Sequence, residues 1–278
     1  MTVALVAHRR TPTNVALAQA QADLRILPPA EALRSLVSGD IAIGRLDVAE
    51  RLDGIEIGLW ELARLEGAGV RVLNRPRALV AAHDKLATSR ALTDAGVAHP
   101  RTTHVTAPSD LLSLTAPFVV KPRFGSWGRD VTLCEDQAAL RRHLAEIADR
   151  PWFAAHGALV QELVPPQGHD VRVVVAGCSV VGAVRRVAAP GEWRTNVALG
   201  AVREPVEPTQ DICELAIRAA GAIEADLVGV DMLPTPDGGH VVVELNGAVE
   251  FNEQYSLDGD VFERTLTALL ADPIAAVA

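Results

Sequence analysis

The sequence predicts an α/β protein that turns α+β in its C-terminal part. Three observations carry this. Residues 1–77 alternate short apolar runs with helical patterns, which implies a parallel sheet covered on both faces. Later runs are dense in β-branched residues, with fewer helices between them. The 278 residues are 49% hydrophobic but only 4% aromatic, enough Ala, Val and Leu for a large core and about two domains.

Thr2–Ala7 reads as a strand and Thr13–Leu24 as a helix with Thr13 or Asn14 near its cap. Ala30–Leu36 is a short helix and Asp40–Gly44 a short strand. Ile55–Glu66 is a helix ended by Gly67-Ala68-Gly69, and Val70–Leu73 is a strand. Asn74-Arg75-Pro76 breaks the pattern, and Ala78–Gly96 forms a helix that Pro100 stops. A second unit starts near Thr102. Phe118–Lys121 and Val131–Cys134 form a hairpin-like pair around the loop Pro122–Asp130. Asp136–Asp149 is an amphipathic helix and Leu159–Leu163 a strand. Asp170–Val175, Ser179–Val187 and His240–Leu245 are strands, with a helix over Asp211–Ala225 and a terminal one over Val261–Leu270.

Composition excludes several classes. No apolar run approaches the roughly 20 residues of a membrane span, and Met1–His8 carries no signal-peptide pattern. A net charge of −9 argues against a general nucleic-acid binder. Cys134, Cys178 and Cys213 lie far apart, an odd count that suits a reducing cytoplasm rather than a disulfide or zinc framework.

Of 26 basic residues only Lys85 and Lys121 are lysines. A compact ammonium fits a crowded phosphate where the planar Arg fork does not, so both read as nucleotide-phosphate ligands. Val241-Val242-Val243-Glu244-Leu245-Asn246 is a strand whose alternation puts Glu244 and Asn246 on one face. Oxygen donors of that kind suit Mg2+. Asp231 in Gly229-Val230-Asp231-Met232 could face Glu244 across a hairpin turning at Asp237-Gly238-Gly239. Taken singly, Asp231 fits a solvent-facing strand end better than a ligand.

The Gly-rich loop Arg123–Asp130, with Ser126, could cover phosphates, although alone it fits an ordinary hairpin loop. Gln161-Glu162-Leu163-Val164 before Pro165-Pro166 is a strand running into a bend where backbone groups can meet an adenine edge. Asp170-Val171-Arg172 sets an acid and a base on one strand face, which a cross-strand ion pair also explains. Arg185-Arg186 and Trp193-Arg194-Thr195-Asn196 gather three arginines and an amide suited to an anion.

Taken in order from Asn74 to Phe251, these segments resemble an ATP-grasp ligase of the RimK type. The motifs are Asn74…Asp84-Lys85, Val119-Val120-Lys121-Pro122, Gly125-Ser126-Trp127-Gly128, Gln161-Glu162, Asp170-Val171-Arg172, Trp193-Arg194-Thr195-Asn196, Gly229-Val230-Asp231 and Glu244-Leu245-Asn246. The resemblance implies an ATP-grasp fold: an N-terminal pre-ATP-grasp domain over 1–77, then an ATP-grasp domain over 78–278. The latter divides into a small central subdomain (about 102–163) and a C-terminal one (164–278) with the metal site. Two mixed subdomains would clasp ATP.

The resemblance also implies roles. Lys85, Lys121 and Ser126 would hold phosphates. Gln161, Glu162 and Leu163 would line the adenine hinge, Asp170 would lie near the ribose, and Arg172 would join the nucleotide site. Arg194 and Asn196 would face the triphosphate and the reacting carboxylate. Asp231, Glu244 and Asn246 would hold two Mg2+ ions, with Mn2+ able to substitute. Two segments depart from the family pattern: Val197-Ala198-Leu199-Gly200-Ala201, where a basic residue and paired glycines are usual, and Gly247-Ala248-Val249-Glu250-Phe251-Asn252, which is more similar to the LysX-like branch. Both fall where the substrates would bind, so Arg186, Glu250 and Asn252 are expected in the acyl and amine pocket, with Arg186 also catalytic.

The implied activity is ATP-dependent amide formation through an acyl phosphate. It would join an amino acid to a peptide, carrier protein or small acid, in a cytoplasmic homo-oligomer without nucleic-acid or membrane partners. The competing expectations are an ATP-grasp kinase acting on a small-molecule hydroxyl and a non-catalytic nucleotide-binding module.

Overall fold

In the computed structural model, which describes residues 1–109 and 113–271, the chain opens with β1 (Val3–Val6), α1 (Pro12–Gln19), β2 (Arg25–Leu27), α2 (Pro29–Ser35), β3 (Ile41–Gly44), α3 (Leu59–Gly67) and β4 (Arg71–Leu73). All pairings among these strands are parallel, in the order β2-β1-β3-β4. β1 and β3 are buried at every position, as a sheet with helices on both faces requires. The cap of α1 is Thr11, one turn earlier than expected. Its side chain accepts from the Asn14 N–H, which frees Thr13 to donate from its hydroxyl to the Phe251 carbonyl at 2.8 Å. β2 is too short to stand out in the sequence.

The helix expected over 78–96 is two: α4 (Pro76–His83) and α5 (Lys85–Asp94). Asp84 leaves the helical region (φ −84°, ψ 97°), and its carboxylate caps α5 by accepting from the Leu86 and Ala87 N–H groups.

A second, antiparallel sheet follows, ordered β5-β8-β6-β7: β5 (Thr102–Val105), β6 (Phe118–Pro122), β7 (Thr132–Cys134) and β8 (Ala158–Glu162), with α6 (Gln137–Ile147) and α7 (Pro151–His156) before β8. The third sheet is also antiparallel, β11-β10-β9-β12-β13. It contains β9 (His169–Ala176), β10 (Ser179–Val187), β11 (Val202–Pro205), β12 (Leu227–Pro234) and β13 (His240–Asn246), with α8 (Gln210–Ala222) before β12 and α9 (Val261–Leu270) closing the described chain.

The third sheet is covered on both faces. One buries Val171, Val173, Val230, Met232 and Leu245 against Ala78 and Ala82 of α4, Leu92 of α5 and Ala216 and Ala219 of α8. On the other, Val174, Ala176 and Val184 pack with Phe251, Tyr255 and α9 into a core continuous with β1 and β3. The ATP-grasp architecture expected from the sequence is therefore present: a parallel sheet, then two antiparallel sheets with helices.

Asn74 fastens the first sheet to the third. It is 1% exposed and sits at φ 54°, a left-handed conformation that Asn tolerates better than most residues. Its Oδ1 accepts from the N–H groups of Asp226 and Leu227, both at 2.9 Å. Its Nδ2 donates to the carbonyls of Leu227 at 2.6 Å and Gly247 at 3.1 Å. Asn74→Ala would strand these buried groups and strain the turn. We expect a loss of about 2–4 kcal/mol in urea denaturation; an unchanged midpoint would show the latch to be idle.

Candidate active site

The third sheet builds the site by register. Asp231 on β12 lies opposite Glu244 on β13 and Arg172 on β9. Arg186 on β10 lies opposite Asp170 on β9 and Arg203 on β11. Opposed residues share a face, and alternation carries that face along each strand. Asp170, Arg172, Arg186, Arg203, Asp231, Glu244 and Asn246 thus all project from one side of the sheet. A bulge gives β13 one extra residue, Val243, just before Glu244.

Asp231 is 3% exposed. Arg172 grips it through Nε and Nη2, both at 2.6 Å, and Arg186 adds a contact at 3.0 Å. Burial alone would raise the Asp231 carboxyl, but the two guanidiniums outweigh it and hold Asp231 well below the ordinary carboxylate range. Arg186 also donates from Nε to Asp170 at 2.8 Å, and the Thr195 hydroxyl donates to the same carboxylate. Burial dominates at Asp170 and pushes its carboxyl up despite Arg186.

Both lysines converge on this face, each 8% exposed. Lys85 Nζ lies 2.9 Å from Glu244 Oε1 and donates to the Gly125 carbonyl. Lys121 Nζ reaches the Val243 carbonyl at 3.4 Å. Burial lowers Lys121 to about 8, with Lys85 adding to the depression and Glu244 opposing it. Asp84, besides capping α5, binds Arg123 through both carboxylate oxygens, and the Lys85 N–H donates to the Arg123 carbonyl at 3.1 Å. One acid therefore fixes both Lys85 and the root of the Gly-rich loop.

At the end of β8 the Glu162 carboxylate is held by Arg101 at 2.9 Å and by the Thr115 N–H at 2.8 Å. The N–H groups of Glu162 and Leu163 donate to the carbonyls of Arg101 and Pro117, so the next backbone donor along the cleft wall is Val164's. Gln161 donates from Nε2 to Thr102 at 2.7 Å. Arg194 pairs with Glu192 at 2.8 Å and reaches the Gly128 and Val131 carbonyls at 3.4 and 3.3 Å, which ties its loop to the Gly-rich loop. The hydrogen bonds from Arg194 hold Glu192 down at about 2. Gly128 lies so close to Asn196 that a Cβ there would stand 2.7 Å from Oδ1.

Two adjoining cavities result. The first is a half-open cleft of about 930 Å3 between the two antiparallel sheets. Its lining includes Lys85 of α5, Lys121 of the second sheet, Asp231 and Glu244 of the third, Gln161, Glu162 and Leu163 where β8 ends, and Asp170 and Arg194. The second, about 860 Å3, shares Ser126, Arg186 and Asn196 with the first and adds Arg172, Asn246 and Glu250.

Asn252 lines neither cavity. Its side chain accepts from the Gln254 N–H and caps a 3-10 turn over Glu253–Tyr255. Glu250 is held by Arg45 at 3.2 Å and Thr11 at 2.8 Å, two contacts with the N-terminal unit. Asp47, Arg203 and Tyr255 line the second cavity and were not expected there. Only a strand assignment for 202–205 with its register could have exposed Arg203.

The donors fit Mg2+. Asp231 and Glu244 are cross-strand carboxylates, and alternation puts the Asn246 amide, whose oxygen is a further hard donor, on the same face. Among those residues no three His, Cys, Asp or Glu side chains gather into a metal-binding group, so the set rests on two acids and an amide.

Residues 82–264 match the RimK-like ATP-grasp domain. The chain is 33% identical over 219 residues to the glutamate–LysW ligase ArgX of Sulfurisphaera tokodaii, covering 76% of each chain. It is 29% identical over 190 residues to the α-aminoadipate–LysW ligase LysX of the same organism, covering 67% of this chain and 66% of that one. The crystal structure of a RimK domain ATP-grasp protein from Sphaerobacter thermophilus superposes with a TM-score of 0.70 over 98% of this chain and 100% of that one at 24% identity, a likeness of fold.

A lysine at about 8 is part-deprotonated in the free protein at pH 8.5, and a polyphosphate beside it would return the proton. ADP binding without metal at pH 8.5 should therefore take up protons, read as a heat that changes with the ionisation enthalpy of the buffer. The uptake should fade at pH 6.5, where Lys121 is already charged, and vanish in Lys121→Met. Equal uptake in the variant would place Lys121 away from the anion.

Proposed function

This chain belongs to the RimK-like ATP-grasp family and is an ATP-dependent ligase that forms carbon–nitrogen bonds, and we propose that it joins an amino acid, through its amine, to the carboxylate of a peptide, carrier protein or small acid. The observation that carries the reading is the pair of adjoining cavities with Ser126, Arg186 and Asn196 as their common wall. One holds the lysines and acids suited to a nucleotide. The other places the acids Asp47 and Glu250 and the arginines Arg172, Arg186 and Arg203 around one space, as a substrate with both an amine and a carboxylate requires.

In this reading residues 1–77 form the preceding domain, and the ATP-grasp domain of 78–278 divides into 102–163 and 164–278. ATP lies in the first cavity with its phosphates on Lys85, Lys121 and the loop at Ser126. Its adenine lies at the hinge of Gln161, Glu162 and Leu163, where Val164 offers the backbone donor. Asp170 lies near the ribose, and Arg172 acts by holding Asp231 in place. The family binds ATP and Mg2+; the cation, held by Asp231, Glu244 and the Asn246 amide oxygen, supplies the charge that offsets the phosphates and orients them.

Arg186 and Asn196 orient the reacting carboxylate as its oxygen takes the γ-phosphoryl group. Arg186 is suited to this because two carboxylates fix its plane, so little reorganisation accompanies the reaction. Arg194 closes the Gly-rich loop over the phosphates and keeps water from the acyl phosphate. The amine then attacks the acyl carbon and phosphate leaves. The relatives named above are ligases, and a kinase reading finds no support among them.

A screen of ATP turnover over amino-acid pairs and short peptides tests this: a ligase releases phosphate only with both carboxylate and amine present, whereas a kinase keeps it on the product. Glu244→Gln should fold normally and lose turnover by on the order of a hundredfold or more, as when one strong electrostatic stabiliser is deleted. A variant that melts early with its residual turnover intact would make Glu244 a structural partner of Lys85 alone.

A further inference from the structure

The second cavity is lined by three residues that each carry an unpaired buried polar atom. Arg203 Nε, Asn246 Nδ2 and the Tyr255 hydroxyl are each buried, and none has a hydrogen-bond partner among the described residues. Tyr255 is itself fully buried. All three can donate a hydrogen bond, and their residues line the same cavity. An unmet buried donor costs free energy, and three around one cavity mark a place where a ligand supplies what the protein lacks.

Charge narrows the ligand. Of the three arginines on this cavity, Arg172 and Arg186 are committed to Asp231 and Asp170. Arg203 has no carboxylate partner among the described residues. It is brought here by its place on β11 opposite Arg186. The turn before β11, Val197–Leu199, offers no cation, so on this wall Arg203 is the charge left for an anion. Asn246 strengthens the case. If its amide oxygen serves the cation site, its Nδ2 must point away, toward this cavity.

We propose that Arg203, with the Tyr255 hydroxyl and the Asn246 amide N–H, binds the α-carboxylate of the incoming amino acid, the carboxylate that does not react. This rests on the ligase reading above and deepens it. Arg203 and Tyr255 become determinants of amine specificity: they select free α-amino acids over amines or amino-acid amides. The acids Asp47 and Glu250 on the same cavity receive the ammonium group. A bidentate guanidinium suits a carboxylate, and its loss leaves the anion unpaired in a buried pocket.

The test measures binding, so it needs no acyl partner. Each of the twenty proteinogenic L-amino acids and the matching α-carboxamides is titrated by calorimetry into protein saturated with Mg2+ and a non-hydrolysable ATP analogue. At least one amino acid should bind, and its amide should bind at least tenfold more weakly. Arg203→Gln should weaken that amino acid roughly ten- to a hundredfold and leave its amide unchanged. Arg203→Lys should recover part of the loss, and Tyr255→Phe should cost several-fold.

Analogue affinity and thermal midpoint, read in parallel, should stay at wild-type values in the Arg203 variants, which sit on a part-exposed edge strand. An amide that binds as well as its acid, an Arg203→Gln variant that binds the acid normally, or a panel without any binder would each overturn the proposal. Failure of the ATP analogue to bind the wild-type protein would instead strike at the ligase reading itself.

Discussion

A buried carboxylate in the middle of a sheet is the constraint around which the site is arranged. Asp231 lies on a strand flanked by β9 and β13, where a solitary anion would shift its pKa and neutralise. It stays ionised because Arg172 meets it from β9, the adjacent strand, and Arg186 from β10, the strand beyond. Those arginines are bound in turn by register: Arg172 opposite Asp231, Arg186 opposite Asp170. Such a chain of buried charges adds little net stability, but removing one member leaves another unpaired at roughly 3–5 kcal/mol. What the chain provides is fixed geometry on a face that must also admit a highly charged ligand.

The same face changes character along its length. Near the far end of β9 it is Val174 and Ala176, packed on α9 and the N-terminal sheet. At the near end it is Asp170 and Arg172, facing the cavities. Two residues of sequence separate a dry core from a charged site. Asn74 and Arg45 secure that boundary. Asn74 binds the ends of β12 and β13, and Arg45, fully buried in its side chain, donates to Asn14, to the Val249 carbonyl and to Glu250. The N-terminal unit is thereby built into the floor of the second cavity.

The sequence made much of this legible because strand alternation is a local rule. Glu244 and Asn246 on one face follow from a period of two, whereas Asp231 opposite Glu244 needs the one-residue bulge at Val243, which no local rule announces. The two lysines stood out by composition. Tertiary relations were not legible. Ala78–Gly96 carries an unbroken helical pattern, yet Asp84 divides it, because its carboxylate serves Arg123 across the molecule as well as the helix cap. Asn252 looked like a pocket residue from its neighbours, but its side chain serves its own turn. β11 is four residues with two charges and a proline, too weak a pattern to announce a strand. Arg203 was hidden with it.

Charge balance then limits what the first cavity accepts. Lining it, Lys85, Lys121, Arg129, Arg186 and Arg194 stand against Glu162, Asp170, Asp231 and Glu244, five cations to four carboxylates. The excess is a single positive charge. A triphosphate brings more negative charge than that excess offsets. The protein thus attracts the nucleotide but cannot neutralise it alone. In the function proposed above, the remainder would fall to Mg2+ held by Asp231 and Glu244, which would account for acids that a phosphate site otherwise excludes. Lys85 illustrates the economy: it holds Glu244 at 2.9 Å, which keeps a half-buried acid paired, and stands beside the loop where phosphates would lie.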